Sequence, residues 1–369
     1  MRLLTMGVEE EFLLVEADGD AASAPAGRAP QVIAAAAAEL GPLVQAEFFT
    51  AQVEVCTEPV ADLATLRADL ARLRRVTAQA AAAADCRIMA TGTPVVPPAR
   101  PLTITDCARY REMATRFAPL VDGYHGLVCG THVHIGTLTR CEALSLAAHM
   151  RPWLPVIQSL TGNSPFAQGA DTGFESWRSV EFARWPTVGP TPVLCEPEYE
   201  HVVSGLVRDR VLLDRKMIYW YARPSEHVPT LEVRVADANA DLDTVVLLAA
   251  LVRGLSGVLL ADVEQGVPTP VVTDRQLRAA HRCAAAHGLT GTGLDPVDGQ
   301  EQPAVRLVDR LVERAAPALE ATGDLELVQD LLRRLHKEGS GAARQRAAYQ
   351  RRGSLGDVVD TLVAATAAA

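Results

Sequence analysis

Between residues 6 and 237 the chain repeatedly alternates apolar and polar positions, the period-two pattern of strands with one buried face. "TMGVEEEFLLVE" starts almost at residue 1 and reads as a strand. So do parts of "QAEFFTAQVEVCTEP", "CRIMATGT", "LVCGTHVHIG" and "VPTLEVRVAD". Helical spacing separates them. An alanine-rich run covers 30–40, and Asp62 is a candidate cap for a helix with Leu63, Leu66, Leu70 and Leu73 on one face. Further helical segments lie around 106–122 and over 142–162, where Pro152 and Pro155 predict a break. From Asp241 onward the pattern is helical, over roughly 243–263, 273–287, 303–321, 324–337 and 341–365, with Asp324 and Gly339 as candidate caps of the fourth. Residues 163–200 have little periodicity but carry aromatics and arginines, which predicts a functional loop and a candidate lid. Strands followed by a run of helices predict an α+β fold, with an antiparallel-rich sheet and a helical C-terminal third. The whole of 1–369 reads as one domain, sheet-rich over 1–240 and helical over 241–369.

Four of the predicted strands share an odd polar face. Glu9 and Glu11 point one way in "VEEEF" while Val8 and Phe12 point the other. Gln52 and Glu54 share a face in "AQVEV", His132 and His134 in "THVHI", and Glu232 and Arg234 in "TLEVRV". Taken singly, each has an ordinary reading: a solvated edge, histidines satisfied by carbonyls, a surface ion pair. Together, aligned in one sheet, they would form a concave site of carboxylates, imidazoles and a guanidinium. Packed carboxylates need cations, and oxygen-rich ligation with some imidazole suits Mg²⁺ or Mn²⁺ better than Zn²⁺. Such ions can bridge and polarise nucleotide phosphates. There is no P-loop, no Rossmann glycine fingerprint and no H-E-x-x-H, and "GLTGTGLDP" reads as a loop.

Composition narrows the partners. With 35 Lys+Arg against 45 Asp+Glu the net charge is −10, which argues against a nucleic-acid surface or an anionic membrane. Only two lysines occur, Lys216 and Lys337, so any phosphate would be handled by arginine, metal or backbone N–H groups. The seven cysteines are scattered without a C-x-x-C pair, as expected of free thiols in a reducing cytoplasm. No signal peptide is evident at the N-terminus. The most apolar helix, near 243–263, is interrupted by Arg253 and Asp262 and reads as a core helix rather than a membrane span.

"GVEEEFLLVE", "AQVEV", "CGTHVHIG", "NSPFAQGADTGF", "RWPTVGPTP", "TLEVRVAD" and the late "GAARQRAAYQRRGSLGDVVDTLV" resemble the glutamate–cysteine ligase type 2 family of bacterial carboxylate–amine ligases, nearly end to end. The resemblance implies a glutamine-synthetase-like curved sheet with helices on its outer face, ATP and Mg²⁺ as cofactors, and amide formation between a small carboxylic acid and an amine. Carried over to this sequence, Glu9, Glu11, Glu54, His132 and Glu232 would be metal ligands. His134 and Arg234 would meet the nucleotide phosphates and serve catalysis, with Arg234 holding the transferring phosphoryl group. Arg184 would lie near the carboxylate substrate, and Gln52 is a further substrate-binding candidate. Ala236, where the family often has cysteine, and the Glu181–Phe182 pair depart from its pattern near the expected substrate region.

The implied reaction is ATP-dependent joining of L-glutamate to an amine such as L-cysteine through an acyl phosphate, in a protein expected to be a homodimer. Three other readings stay open: a dedicated biosynthetic ligase with an unusual acid or amine, a guanidino or amine kinase of the same superfold, and a catalytically silent metal or nucleotide sensor.

Overall fold

The computed structural model describes residues 2–17, 23–98, 101–121 and 126–368. Residues 99, 100 and 122, which fall in the proline-rich stretch and the 106–122 segment, lie outside the described residues. In chain order, β1 (Met6–Glu16) leads to α1 (Ala29–Leu40), β2 (Val44–Ala46), β3 (Gln52–Cys56), α2 (Leu63–Ala83) and β4 (Cys86–Met89). Then follow α3 (Ala108–Arg116), α4 (Ala118–Val121), β5 (Gly130–Gly136), α5 (Arg140–Met150) and α6 (Leu154–Leu160). A two-stranded ribbon, β6 (Phe166–Ala167) and β7 (Ala170–Asp171), precedes α7 (Trp177–Phe182), α8 (Glu196–Arg208), β8 (Ala222–Pro224) and β9 (Thr230–Asp237). The remainder is α9 (Leu242–Glu264), α10 (Asp274–His287), the hairpin β10 (Thr292–Leu294) and β11 (Glu301–Pro303), α11 (Ala304–Thr322), α12 (Leu325–Glu338), α13 (Gly341–Gln350) and α14 (Leu355–Ala367).

The main sheet runs β2-β3-β1-β5-β9-β8, with β4 also paired to β1, and every pairing is antiparallel. Its apolar face, including Met6, Val8, Val133, Ile135, Leu231 and Val233, packs on α5, α6 and α9 in one core with α11 and α12. Helix α9 is buried from Leu242 to Leu260. By length and composition it could cross a membrane, but its apolar window is 94% buried within the protein. The two charges that interrupt it are matched, Arg253 by Asp324 and Asp262 by Arg314.

Local signals behave as the sequence predicts in several places. Asp62 accepts the Thr65 amide at 2.8 Å, and Leu63, Leu66, Leu70 and Leu73 are buried. The chain breaks between α5 and α6 at Pro152, with Pro155 in the first turn of α6, where a missing N–H costs nothing. Gly339 ends α12, whereas Asp324 caps it only by position, since its carboxylate is taken by Arg253. Two expectations fail. The segment 341–365 is two helices, because Gly353 adopts φ +68° and Ser354 starts a new one by accepting the Asp357 amide. The glycine-rich "GLTGTGLDP" is not all loop, since Thr292–Leu294 pairs with Glu301–Pro303.

One buried charge sits on the wrong face of β1. Glu10 faces the apolar side and is 1% exposed; it meets the fully buried Arg74 of α2 through two hydrogen bonds, at 3.0 and 2.5 Å. Arg74 spends its other donors on the Asn239 and Ala240 carbonyls, both at 2.7 Å. This pair ties strand, helix and the β9–α9 turn together.

Candidate active site

The register of the sheet brings the polar faces together. Glu11 lies opposite Glu54, Glu9 opposite His132, His134 opposite Glu232, and Glu232 opposite Arg223 of β8. His132 sits between carboxylates: its Nδ1 is 3.1 Å from Glu9 Oε2 and 3.8 Å from Glu232 Oε1, and its Nε2 is 3.9 Å from Glu11 Oε1. His134 places Nε2 3.1 Å from Glu9 Oε1 while Nδ1 is held by Thr230 Oγ1 at 2.8 Å. Glu232 is clamped by two guanidiniums, by Arg223 at 2.7 and 3.2 Å and by Arg234. Gly130 donates its N–H to Glu11 at 2.6 Å. A side chain at 130 would collide with the Arg178 guanidinium, and one at 136 with Thr5. These two glycines therefore admit neighbouring side chains of the protein itself.

Between the partners, β9 carries one extra residue. Thr131 pairs with Ala236 but Val133 with Val233, so three steps of β9 span two of β5. Val235 and Ala236 both join the apolar core as a result, and Asp237 turns toward the segment that carries Arg178. Its carboxylate accepts from Asn163 N–H at 2.9 Å and from the Ser164 and Ser176 hydroxyls, both at 2.7 Å.

The acidic, imidazole and guanidinium side chains of β1, β3, β5, β8 and β9 that the register brings together line a cleft of about 660 Å³, whereas Asp237 does not. Glu9, Glu11, Gln52, Glu54, His132, His134, Glu232 and Arg234 are all there. Gln52 is 3% exposed and donates to the Val128 carbonyl at 2.8 Å, so its amide props the approach to β5. Arg184 is not brought to the cleft. Its guanidinium is 46% exposed and pairs with Glu181 one helical turn back. Arg178, on α7, lines the cleft instead. The 163–200 segment is also a fixed wall where it meets Asp237: Asn163, Ser164, Ser176 and Arg178 are buried, and Trp185 packs against Phe117.

The structure adds residues that alternation does not reveal: Glu47, Arg178, Lys216, Tyr219 and Arg223. Arg178 is 3% exposed and has no carboxylate within ion-pairing distance among the described residues. Its Nε lacks a hydrogen-bond partner there. Its cation lies 5.3 Å from the Phe182 ring, and that ring stacks on Tyr219. Only Arg223, opposite Glu232 in a short strand before a proline, had a sequence signal, and the strand is too short to show alternation.

Electrostatics divides the cleft. Burial, and then the charges of Glu9, Glu47 and Glu11, push the Glu54 carboxyl well above the usual range. Burial likewise raises Glu11 and Glu47. Burial opposes the charge on Glu9, but hydrogen bonds from His132 and His134 override it and hold that carboxyl low. Burial also opposes the charge on Glu232, where Arg223 and then Arg234 win and lower it. Burial and the neighbouring Arg234 lower His132, whereas the Glu9 hydrogen bond overcomes burial and raises His134. One end of the cleft thus holds carboxylates short of positive charge, and the other holds arginines.

The donor set fits divalent cations. Ligand atoms of Glu9, His132 and Glu232 lie within 4.8 Å of one another, as do those of Glu11, Glu54 and His132. His132 Nε2 is buried without a hydrogen-bond partner among the described residues, the state of an imidazole nitrogen free to ligate. A third group, Glu9, Glu54 and Cys56, places a thiol at the edge of the set.

The model of glutamate–cysteine ligase family 2 matches residues 5–361. The chain belongs to that family. A relative from Saccharopolyspora erythraea, provisionally named glutamate–cysteine ligase 2-1, is 45% identical over 366 residues, covering 98% of this chain and 95% of its own. Among solved structures, a bifunctional glutathione synthetase from Pasteurella multocida superposes with a TM-score of 0.72 at 16% identity over 99% of this chain. The family member here spans 52% of that longer protein. A glutamate–cysteine ligase from Francisella tularensis, in complex with AMP, superposes with a TM-score of 0.68 at 12% identity, covering 100% of this chain and 90% of its own. Identities this low speak to fold alone, and the fold is glutamine-synthetase-like.

Proposed function

We propose that the protein is an ATP-dependent carboxylate–amine ligase that activates an acid, with L-glutamate the first candidate, as an acyl phosphate and passes it to an amine such as L-cysteine. The observation that carries this reading is the shared face on which Glu9, Glu11, Glu54, His132, His134, Glu232 and Arg234 converge on one cleft. Family membership and the AMP-bound structural neighbour support it.

Glu9, Glu11, Glu54, His132 and Glu232 would hold Mg²⁺ or Mn²⁺ ions, which supply positive charge to phosphate oxygens. Arg234, His134 and Arg223 face the arginine-rich end and would steady the phosphoryl group in transfer. An ion held by Glu232 would share its carboxylate with Arg223 and Arg234, which keeps both guanidiniums beside the phosphate site. Arg178 takes the role of substrate-carboxylate partner in place of Arg184. A buried guanidinium without a carboxylate is costly, and an anionic substrate group offsets that cost. An acid so held is positioned for phosphorylation, and binding energy of this kind is a large part of catalysis.

The test is incubation with Mg-ATP, L-glutamate and hydroxylamine. Hydroxamate and ADP formed together support an acyl phosphate. ADP formed with a stable phosphoramidate, and no amide, would turn the assignment to an amine kinase. No ADP release across a panel of acids and amines would sink both.

A further inference from the structure

A second cavity, of about 360 Å³, lies among α2, the start of α9, and helices α12, α13 and α14. Its volume is within the range of small-molecule sites. The main cleft and this cavity share no lining residue. Its rim carries three cations and three anions: Arg67, Arg334 and Arg344 against Asp241, Asp243 and Glu338. Arg67 and Arg334 both pair closely with Asp243, whereas Arg344 is held more loosely, 3.3 Å from Asp241 and 3.6 Å from Glu338. Leu242 and Leu362 form an apolar wall.

The inner end carries the deciding feature. Gln345 lines the cavity, is 1% exposed, and has an Oε1 without a hydrogen-bond partner among the described residues. Its Nε2 is committed to Asn163, donating to both Asn163 O and Oδ1 at 2.8 Å. A buried amide oxygen left bare is costly and calls for a donor. α13 approaches closely enough for this only because residue 341 is glycine; a Cβ there would collide with the Asn163 side chain.

We propose that this cavity binds a free amino acid or similarly sized zwitterion. A net anion or cation would meet as much like charge as opposite charge at the rim. A zwitterion places its carboxylate against an arginine and its ammonium against an aspartate or glutamate, and an N–H can reach Gln345 Oε1. Such a ligand would touch the wiring of the main cleft. Asn163 donates its N–H to Asp237, and Ser164 Oγ both donates to Asp237 and accepts the Arg178 amide at 3.1 Å. Gln345 is thus four hydrogen bonds from the cleft-lining Arg178.

The test titrates the twenty free L-amino acids, one at a time and without nucleotide, into the full chain by calorimetry. The variants Ala365→Trp, at an exposed lining position, and Arg344→Gln are compared with wild type, and Arg234→Ala serves as the cleft control. The expected result is one or more amino acids whose affinity falls by about tenfold or more in Ala365→Trp and Arg344→Gln, but holds in Arg234→Ala. Thermal melting checks that each variant is folded, and Arg344→Gln alone decides if Ala365→Trp is not. Binding that is lost only in Arg234→Ala, binding that neither Ala365→Trp nor Arg344→Gln weakens, or no binding by any of the twenty, overturns the proposal. Both outcomes are independent of whether the main cleft proves to be a ligase site.

Discussion

Arg178 lies on the short helix α7 and Arg184 just beyond its end, and the sequence offers no way to choose between them. A six-residue helix in an otherwise irregular stretch is too short to show a period, so neither burial nor direction can be read from it. The structure separates them, one buried in the cleft with no carboxylate at ion-pairing distance among the described residues, the other half-exposed beside Glu181. Arg178→Lys is expected to raise KM for the acid substrate by roughly thirtyfold, about 2 kcal/mol, because a point charge replaces a planar fork in a desolvated site. Arg184→Ala should change kcat/KM by less than about threefold, as surface pairs are worth little. Hydroxamate kinetics measure both. Glu54 makes a different prediction. Its carboxyl is raised on folding, so the folded chain binds its proton more tightly and loses stability as pH climbs from the ordinary carboxylate range through the raised value. Glu9 and Glu232 are lowered, ionised in both states above that range, and add no slope there. In chelator, Glu54→Gln should therefore resist urea better than wild type at pH 8, the two converging toward pH 5. A variant that is less stable at pH 8 would contradict this.

Elements were legible where a period could run. The E-x-E, H-x-H and E-x-R strands kept their alternation, and the antiparallel register put their polar faces on one side, as expected from the pattern. Glu10 shows the limit. Alternation alone places it on the apolar face, yet its partner Arg74 is 64 residues away on a helix whose exposed-looking arginines all read alike. Glu10→Ala is expected to destabilise the fold by about 3–5 kcal/mol, since it strands a buried guanidinium; urea midpoints decide, and a loss below about 1 kcal/mol would mean the pair is dispensable. Strand β5 carries a subtler constraint. Gly130→Ala should leave the melting cooperative and near wild type in secondary structure while cutting kcat/KM by about tenfold or more, because the new methyl displaces Arg178. Full activity in that variant would remove Arg178 from the substrate site.

Across the whole molecule, cations and stability are linked. A cleft that gathers Glu9, Glu11, Glu47 and Glu54 is stabilised by positive charge placed among them. Adding Mg²⁺ at about a hundred times its Kd should stabilise the chain by about 2.7 kcal/mol, with chelator reversing the shift. The same shift in a Glu11→Gln, Glu54→Gln double variant would place the ion elsewhere. The extra residue in β9 has a consequence of another kind. Read as a line of text, the strand changes reading frame after Val235. In the first frame, odd-numbered residues face the core and even-numbered ones the cleft; in the second, the parities exchange. Without that shift Ala236 would face the cleft and Asp237 would be driven among leucines and valines. One inserted residue lets a single strand write both the cleft-facing Glu232–Arg234 pair and the carboxylate that anchors its neighbouring wall.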